Sequence, residues 1–304
     1  MSNAPRNYPP AFYRYRARKA LKGHWLTALQ IALIVSLLPW LIRGIFNSTS
    51  GDVVRKLAEI ANSDALLEGT VSPRVITQFL QDYGPRMYLF AGLELAAYLI
   101  IPCLTLGMDK WAMDRLRGED GPVTAVFSRV RLFFKACGLQ LCVALKILLW
   151  MLPGLCLTFL VSYLFVLTGE LSSDILTFVR AYIVSILPFS MIVPGFLAYV
   201  RYSLAEYIMA DQPDMKIRAC VRRSRKLVKG NMRFIVMNVL FFLLLLFLSS
   251  LLIGLPEILY YVLTLFLSLV ITVYWTGTLA AVYLHLEFGE MQKEEQEPAP
   301  EAMN

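Results

Sequence analysis

Arg18-Lys19-Ala20-Leu21-Lys22-Gly23-His24 and Arg225-Lys226-Leu227-Val228-Lys229-Gly230-Asn231 decide how this chain reads. The two strings share the pattern R-K-x-x-K-G-[HN], and each immediately precedes a run of about twenty apolar residues, the length that crosses a hydrocarbon core as a helix. A basic segment feeding a membrane span, used more than once, is the pattern of an internally repeated membrane protein.

Working outward from these strings, composition agrees. The chain is 58% hydrophobic and only 17% charged, with a mean hydropathy of +0.59, whereas soluble domains run to roughly 45–50% apolar. Open strands are excluded inside lipid because nothing there satisfies their backbone groups. The expected fold is therefore all-α: a polytopic membrane protein of six transmembrane helices, arranged as three parallel helix-pair repeats, each preceded by a basic amphipathic helix. The spans fall at Trp25–Phe46, Met87–Met108, from near Cys137 to near Thr168, Ile175–Ala210, Ile235–Gly254 and Ile258–Leu286. Pro153, Pro188 and Pro194 are the expected kink positions.

Around these spans the chain divides into a cytoplasmic basic amphipathic segment, 1–24, a six-helix transmembrane domain, 25–286, and an acidic, disordered cytoplasmic tail, 287–304. Loops 109–136 and 211–234 are expected inside, and segment 47–86 outside. Of the 29 Lys and Arg residues, 21 fall on the side that carries both termini. The positive-inside rule then places both termini of this multi-pass protein in the cytoplasm. This placement also explains the net charge of +7 without nucleic acid. In segment 47–86, Val53, Leu57 and Ile60 share one helical face, as do Ile76, Phe79, Leu80 and Tyr83. Two short helices lying on or capping the bundle are expected, with a lid over a cavity as the lesser reading.

The basic strings have a weaker middle copy at Phe127-Ser128-Arg129-Val130-Arg131. Apolar faces are drawn by Tyr13, Ala17, Ala20 and Leu21; by Val123, Val126, Phe127, Val130 and Phe134; and by Ile217, Cys220, Val221, Leu227 and Val228. Helices so patterned lie in the interface. Arg18, Lys19, Lys22, Arg222, Arg223, Arg225, Lys226 and Lys229 are the candidate contacts to anionic phospholipid head groups. Ser224, inside the third copy, is a potential phosphorylation site.

The stretch Ile192-Val193-Pro194-Gly195, Tyr199, Tyr202-Ser203 and Tyr207-Ile208-Met209-Ala210-Asp211-Gln212-Pro213 is followed by Ser224 through Asn231 and by Thr276, Ala280, Ala281 and Tyr283. With the opening Ala17-Arg18 through Trp25, these residues resemble the bacterial integral-membrane family catalogued as domain of unknown function 975. The resemblance implies a multi-span inner-membrane protein and carries over no catalytic residue. The path from Pro153-Gly154 to Pro194-Gly195 is longer than the family pattern.

Ionisable groups inside spans are candidate sites by default. Glu94 and Lys146 fall at nearly equal depth on successive spans, so an ion pair between them is expected, either fixing the packing or forming a polar midplane site. Arg201 and Glu206 read as snorkelling residues at the inner end of the fourth span. Asn238, Thr272, Thr276 and Thr278 read as interhelical hydrogen-bonding groups. Asp211 and Asp214 read as a helix stop and a cap for the next helix.

No catalytic residue is expected. The chain has no G-x-S-x-G, H-E-x-x-H or Walker A string. With two histidines and five cysteines lacking C-x-x-C spacing, no metal site, disulfide framework or cofactor is expected. The partners implied are the lipid bilayer with its anionic head groups and a membrane protein partner. The leading expectation is a non-enzymatic envelope or transporter-accessory component handling lipid or amphipathic molecules. The alternative is a secondary transporter or permease with its site at Glu94 and Lys146.

Overall fold

The computed structural model describes residues 8–49, 55, 73–167, 189–254 and 256–288, which contain helices and no strand. In chain order these are α1 (Pro10–Leu21), α2 (Trp25–Thr49), α3 (Pro73–Leu116), α4 (Phe133–Leu167), α5 (Phe189–Tyr202), α6 (Ala205–Asp211), α7 (Ile217–Val228), α8 (Met232–Ser250) and α9 (Glu257–Phe288). Short 3₁₀ turns at Val123–Phe127 and Val130–Leu132 join α3 to α4, and another at Leu251–Gly254 follows α8.

Among the described residues, four helical stretches are long and apolar enough to cross a membrane: Thr77–Leu116, Val123–Val161, Met232–Ser249 and Leu259–Phe288. A fifth arises if α1 and α2, which meet at 102°, count together as one bent span. These correspond to the second, third, fifth and sixth expected spans, with the first in the bent pair. Much of the fourth, including Pro188 and Arg180, lies outside the described residues. The outward faces of α4 and α8 carry Leu145, Leu149, Phe159, Leu240, Leu244 and Phe247, all exposed. Contiguous apolar surface of this kind suits contact with lipid and is rare on soluble monomers.

The two Lys-Gly strings build the same corner. In the first, the Lys22 amide donates to Lys19, Gly23 takes φ +85°, and the His24 amide donates to Leu21 before α2 starts. In the second, the Lys229 amide donates to Arg225, Gly230 takes φ +95°, and the Asn231 amide donates to Val228 before α8 starts. A left-handed residue is needed to turn the chain sharply out of each basic helix, and glycine adopts it without steric penalty. The middle copy lacks this string and differs. It forms the two 3₁₀ turns instead of a basic helix, burying Val126 while Phe127, Val130 and Phe134 stay exposed.

The boundaries also move. α3 is 44 residues long and runs through the helix expected around Ile76–Tyr83, so that helix is continuous with the span. At its other end it continues to Leu116, well into the expected loop 109–136. The companion face Val53–Ile60 lies outside the described residues.

Close backbone approaches at small residues hold the bundle, as expected where lipid gives no hydrophobic drive between helices. A methyl group on Gly107 of α3 would run into the Val126 carbonyl, and one on Gly154 of α4 would run into the backbone at Ser190 of α5. The Ser190 hydroxyl donates to the Gly154 carbonyl at 3.2 Å. α1 lies against the end of α9 through buried Tyr13, Ala17 and Leu21. Tyr13 stacks on Phe234, and His285 meets it edge-on. Arg14 donates to Asn238 Oδ1 at 3.0 Å and lies 4.1 Å over Phe241. α1 is thus fastened to the bundle on one face while Arg18, Lys19 and Lys22 remain exposed.

Candidate functional site: an acidic cavity within the bundle

Asp109 sits two turns before the end of α3 and is 5% exposed. Its neighbours Met108, Trp111, Ala112 and Met113 are also buried, because this last stretch of α3 packs between α2, α6 and α9. The chain therefore carries an aspartate into the interior on a rigid helix. Its Oδ2 has no hydrogen-bond partner. An unsatisfied buried carboxylate oxygen costs roughly 1–3 kcal/mol or more, which the fold tolerates at sites kept for function.

Asp109 lines a cavity of about 280 Å³. Thr105 comes from the same helix and Gln140 from α4; Tyr199 and Tyr202 come from α5, Glu206 and Tyr207 from α6, and Thr272, Trp275 and Thr276 from α9. Glu206 and Asp109 interact electrostatically, and among the described residues neither forms a salt bridge. The Tyr207 hydroxyl donates to the Thr276 carbonyl at 3.2 Å, tying α6 to α9 across the cavity wall. The helix is broken between Tyr202 and Ala205 beside the cavity, where Ser203 turns its hydroxyl back to the Val200 carbonyl at 2.9 Å. Interrupted helices at such a site are a recurring way to line a polar cavity inside a membrane bundle.

A second hydrogen-bonded cluster closes the end of the bundle nearest the α3–α4 turn. Arg117 donates to both oxygens of Asp211, at 3.0 and 3.3 Å, and the Tyr283 hydroxyl donates to Asp211 at 3.1 Å. Burial pushes the Asp211 carboxyl up, but the hydrogen bonds and charge of Arg117 outweigh it, and the net position is below the ordinary value. Arg223 bonds Glu287 and Gln212. Asp211 thus ties three helices together as well as ending α6. Asp214 does not cap α7, whose N-cap is Lys216, without a side-chain bond.

The structure places the sequence-derived candidates as follows. Glu94 and Lys146 form no salt bridge. Cys137 of α4 donates to the Leu99 carbonyl of α3. Extended along this antiparallel pair, that register sets Glu94 opposite Cys142, about one helical turn or ~6 Å from Lys146. Lys146 instead lies 6.0 Å from the ring of Tyr202, a wall of the cavity. Arg201 stacks over Trp150 at 4.6 Å, and Glu206 faces the cavity, so Glu206 is not a plain snorkelling group. Among the lipid-contact candidates, Arg222, Arg225, Lys226 and Lys229 are exposed on α7 and its cap, while Arg223 is engaged by Glu287. Ser224 is fully buried and donates to the Arg201 carbonyl, which removes it as a phosphorylation site. Asn238 makes the expected interhelical bond, whereas Thr272 and Thr278 donate to carbonyls of their own helix. Cys220 is buried and burial pushes its thiol up, away from nucleophile chemistry.

Asp109 was hidden in the sequence because it abuts the drawn end of the second span. The 3- and 4-residue spacing of Tyr199, Tyr202, Ser203 and Glu206 on one helical face was the available signal for the opposite wall. A groove of about 820 Å³ between α1 and α8 combines Arg14, Asn231 and Arg233 with Phe234, Met237 and Leu244. It is basic at one end and apolar along its length. No group of three or more His, Cys, Asp or Glu able to hold a metal occurs among the described residues.

No curated protein and no solved structure matches the chain. One family model does, across residues 13–288, covering the basic first helix, the cavity and the final span. The chain belongs to the family described as protein of unknown function (DUF975).

Proposed function

We propose that this is a non-enzymatic membrane protein that handles a small polar or amphipathic molecule in its helix bundle, as an envelope or transporter-accessory component. The observation that carries this reading is the cavity of about 280 Å³ into which Asp109 presents an unpartnered oxygen. Two acids facing an internal cavity whose lining holds no basic residue are costly to bury, and an occupant offsets that cost. The volume lies just below the range of roughly 300–1,000 Å³ of small-molecule sites, which fits a small ligand or a single head group. The basic, apolar groove between α1 and α8 supports contact with anionic lipid by Arg14 and Arg233, in addition to the exposed Arg18, Lys19, Lys22, Arg222, Arg225, Lys226 and Lys229. Location in a bacterial inner membrane rests on the family resemblance, and the cytoplasmic placement of both termini on the distribution of Lys and Arg.

A secondary transporter or permease is the second reading, favoured by the helix break at Ser203 beside the cavity. In that reading the site moves from Glu94 and Lys146 to Asp109 and Glu206. The test is mass spectrometry of protein extracted in native lipid discs, wild type beside Asp109→Asn and Glu206→Gln. The proposal expects a discrete small molecule or enriched lipid retained by wild type and lost in both variants. Identical bulk phospholipid in all three would contradict it. Uptake of the identified molecule into proteoliposomes then separates a permease from an accessory protein.

A further inference from the structure

We infer that the cavity receives a small organic ammonium group, a ligand class that rests on the ligand-handling reading above. Three independent observations converge on it. First, the polar centre is acidic and incomplete: Asp109 Oδ2 is buried and unbonded, Glu206 faces the same space, and the lining contains no Lys, Arg or His. A positively charged occupant complements the two acids, whereas an anion meets two acidic side chains and no basic one in the lining.

Second, the remaining walls are aromatic. Tyr199, Tyr202, Tyr207 and Trp275 line the cavity. Aromatic faces attract ammonium groups, and several rings around one carboxylate are the standard surroundings of an alkylammonium ion. Tyr202 already has one ammonium near its ring, Lys146 Nζ at 6.0 Å. That lysine forms no salt bridge with Asp109 or Glu206, so it does not complete the acid pair. Third, the donor set suits an organic cation better than an inorganic one. Calcium takes about six to eight oxygen ligands, and this cavity offers two carboxylates among rings, hydroxyls and one amide. Two sources supply the chemistry: a free organic ammonium ion such as choline or protonated ethanolamine, or the ammonium head group of a zwitterionic phospholipid.

The experiment uses the full chain in discs of pure phosphatidylglycerol, which has no ammonium group, and follows thermal unfolding. In one arm choline and ethanolamine are titrated, with dimethylbutanol, the uncharged carbon isostere of choline, as comparison. In the other arm phosphatidylethanolamine is added to the discs. The inference expects a rise in Tm in at least one arm, with no comparable rise from the isostere. The responding arm identifies the source. Asp109→Asn and Glu206→Gln should each shift the half-effective concentration up by about tenfold or more, the loss of one charge-assisted contact. Should Asp109→Asn fail to fold, Glu206→Gln carries the comparison. An equal rise with dimethylbutanol, no rise in either arm, or variants that respond like wild type would overturn the inference. A neutral or anionic molecule found in native discs and lost in Asp109→Asn would leave the ligand-handling reading standing while removing the ammonium.

Discussion

Two aspartates close to helix ends are treated oppositely by this fold. Asp211 is held by Arg117 and Tyr283, and its carboxyl lies below the ordinary value. A carboxyl lowered on folding adds stability that is present above its unfolded pKa, near 4. That stability is lost as pH falls through the lower folded value. Wild-type Tm should therefore decline on acidification below about pH 4, and Asp211→Asn should flatten this part of the decline. At neutral pH the same substitution should cost about 2 kcal/mol, from the weakened contacts to Arg117 and Tyr283. Asp109 has an oxygen with no partner to lose. Asp109→Asn should change ligand-free stability by less than about 1 kcal/mol while abolishing ligand retention in native discs. That separation of binding from stability distinguishes a site residue from a packing residue.

At the scale of elements, the sequence repeat is explained by a turn. Arg18–His24 and Arg225–Asn231 look alike because each ends a basic helix and turns it through a left-handed glycine into a hydrophobic helix. Gly23→Ala and Gly230→Ala should each destabilise the protein by about 1 kcal/mol, readable as a lower Tm in discs. Gly107→Val should cost more, about 1–3 kcal/mol, because the added side chain displaces the Val126 turn from α3. These positions were legible in different degrees. Gly23 and Gly230 stand out by repetition, whereas Gly107 sits in an apolar run whose closest neighbour, Val126, comes from beyond a turn. The span cores were readable from hydropathy. The ends were not: α3 passes without interruption through both Pro85 and Pro102 and carries polar residues past the expected boundary. The Glu94–Lys146 pairing failed for a related reason. Depth counted from helix ends is only as good as the ends, and Lys146 lies about one turn from the level of Glu94, near Tyr202.

Across the molecule, the described residues hold four or five helical stretches able to span a membrane and a small acidic cavity walled mainly by three of the longest helices, α3, α4 and α9. The cavity was not visible in any local string because its walls come from α2, α3, α4, α5, α6 and α9, and only folding brings Asp109, Glu206 and Trp275 together. The charge distribution predicts that the α3–α4 turn is cytoplasmic. A single cysteine placed at Glu119, with the native cysteines replaced, should react with an impermeant thiol reagent only in inside-out vesicles. One placed at Gln81 should react only in right-side-out vesicles. The reverse pattern would invert the topology and leave the cavity unaffected.

On the proposed function, Asp109 and Glu206 face a ligand site that is filled in the native membrane. The most direct test is a cryo-electron microscopy map of the protein extracted in its native lipid. A discrete density is expected between Asp109, Glu206 and Trp275, absent from the same map of Asp109→Asn. A collapsed cavity, with Asp109 Oδ2 accepting a hydrogen bond from Lys146 or another protein donor, would contradict it and return both acids to the packing of the bundle.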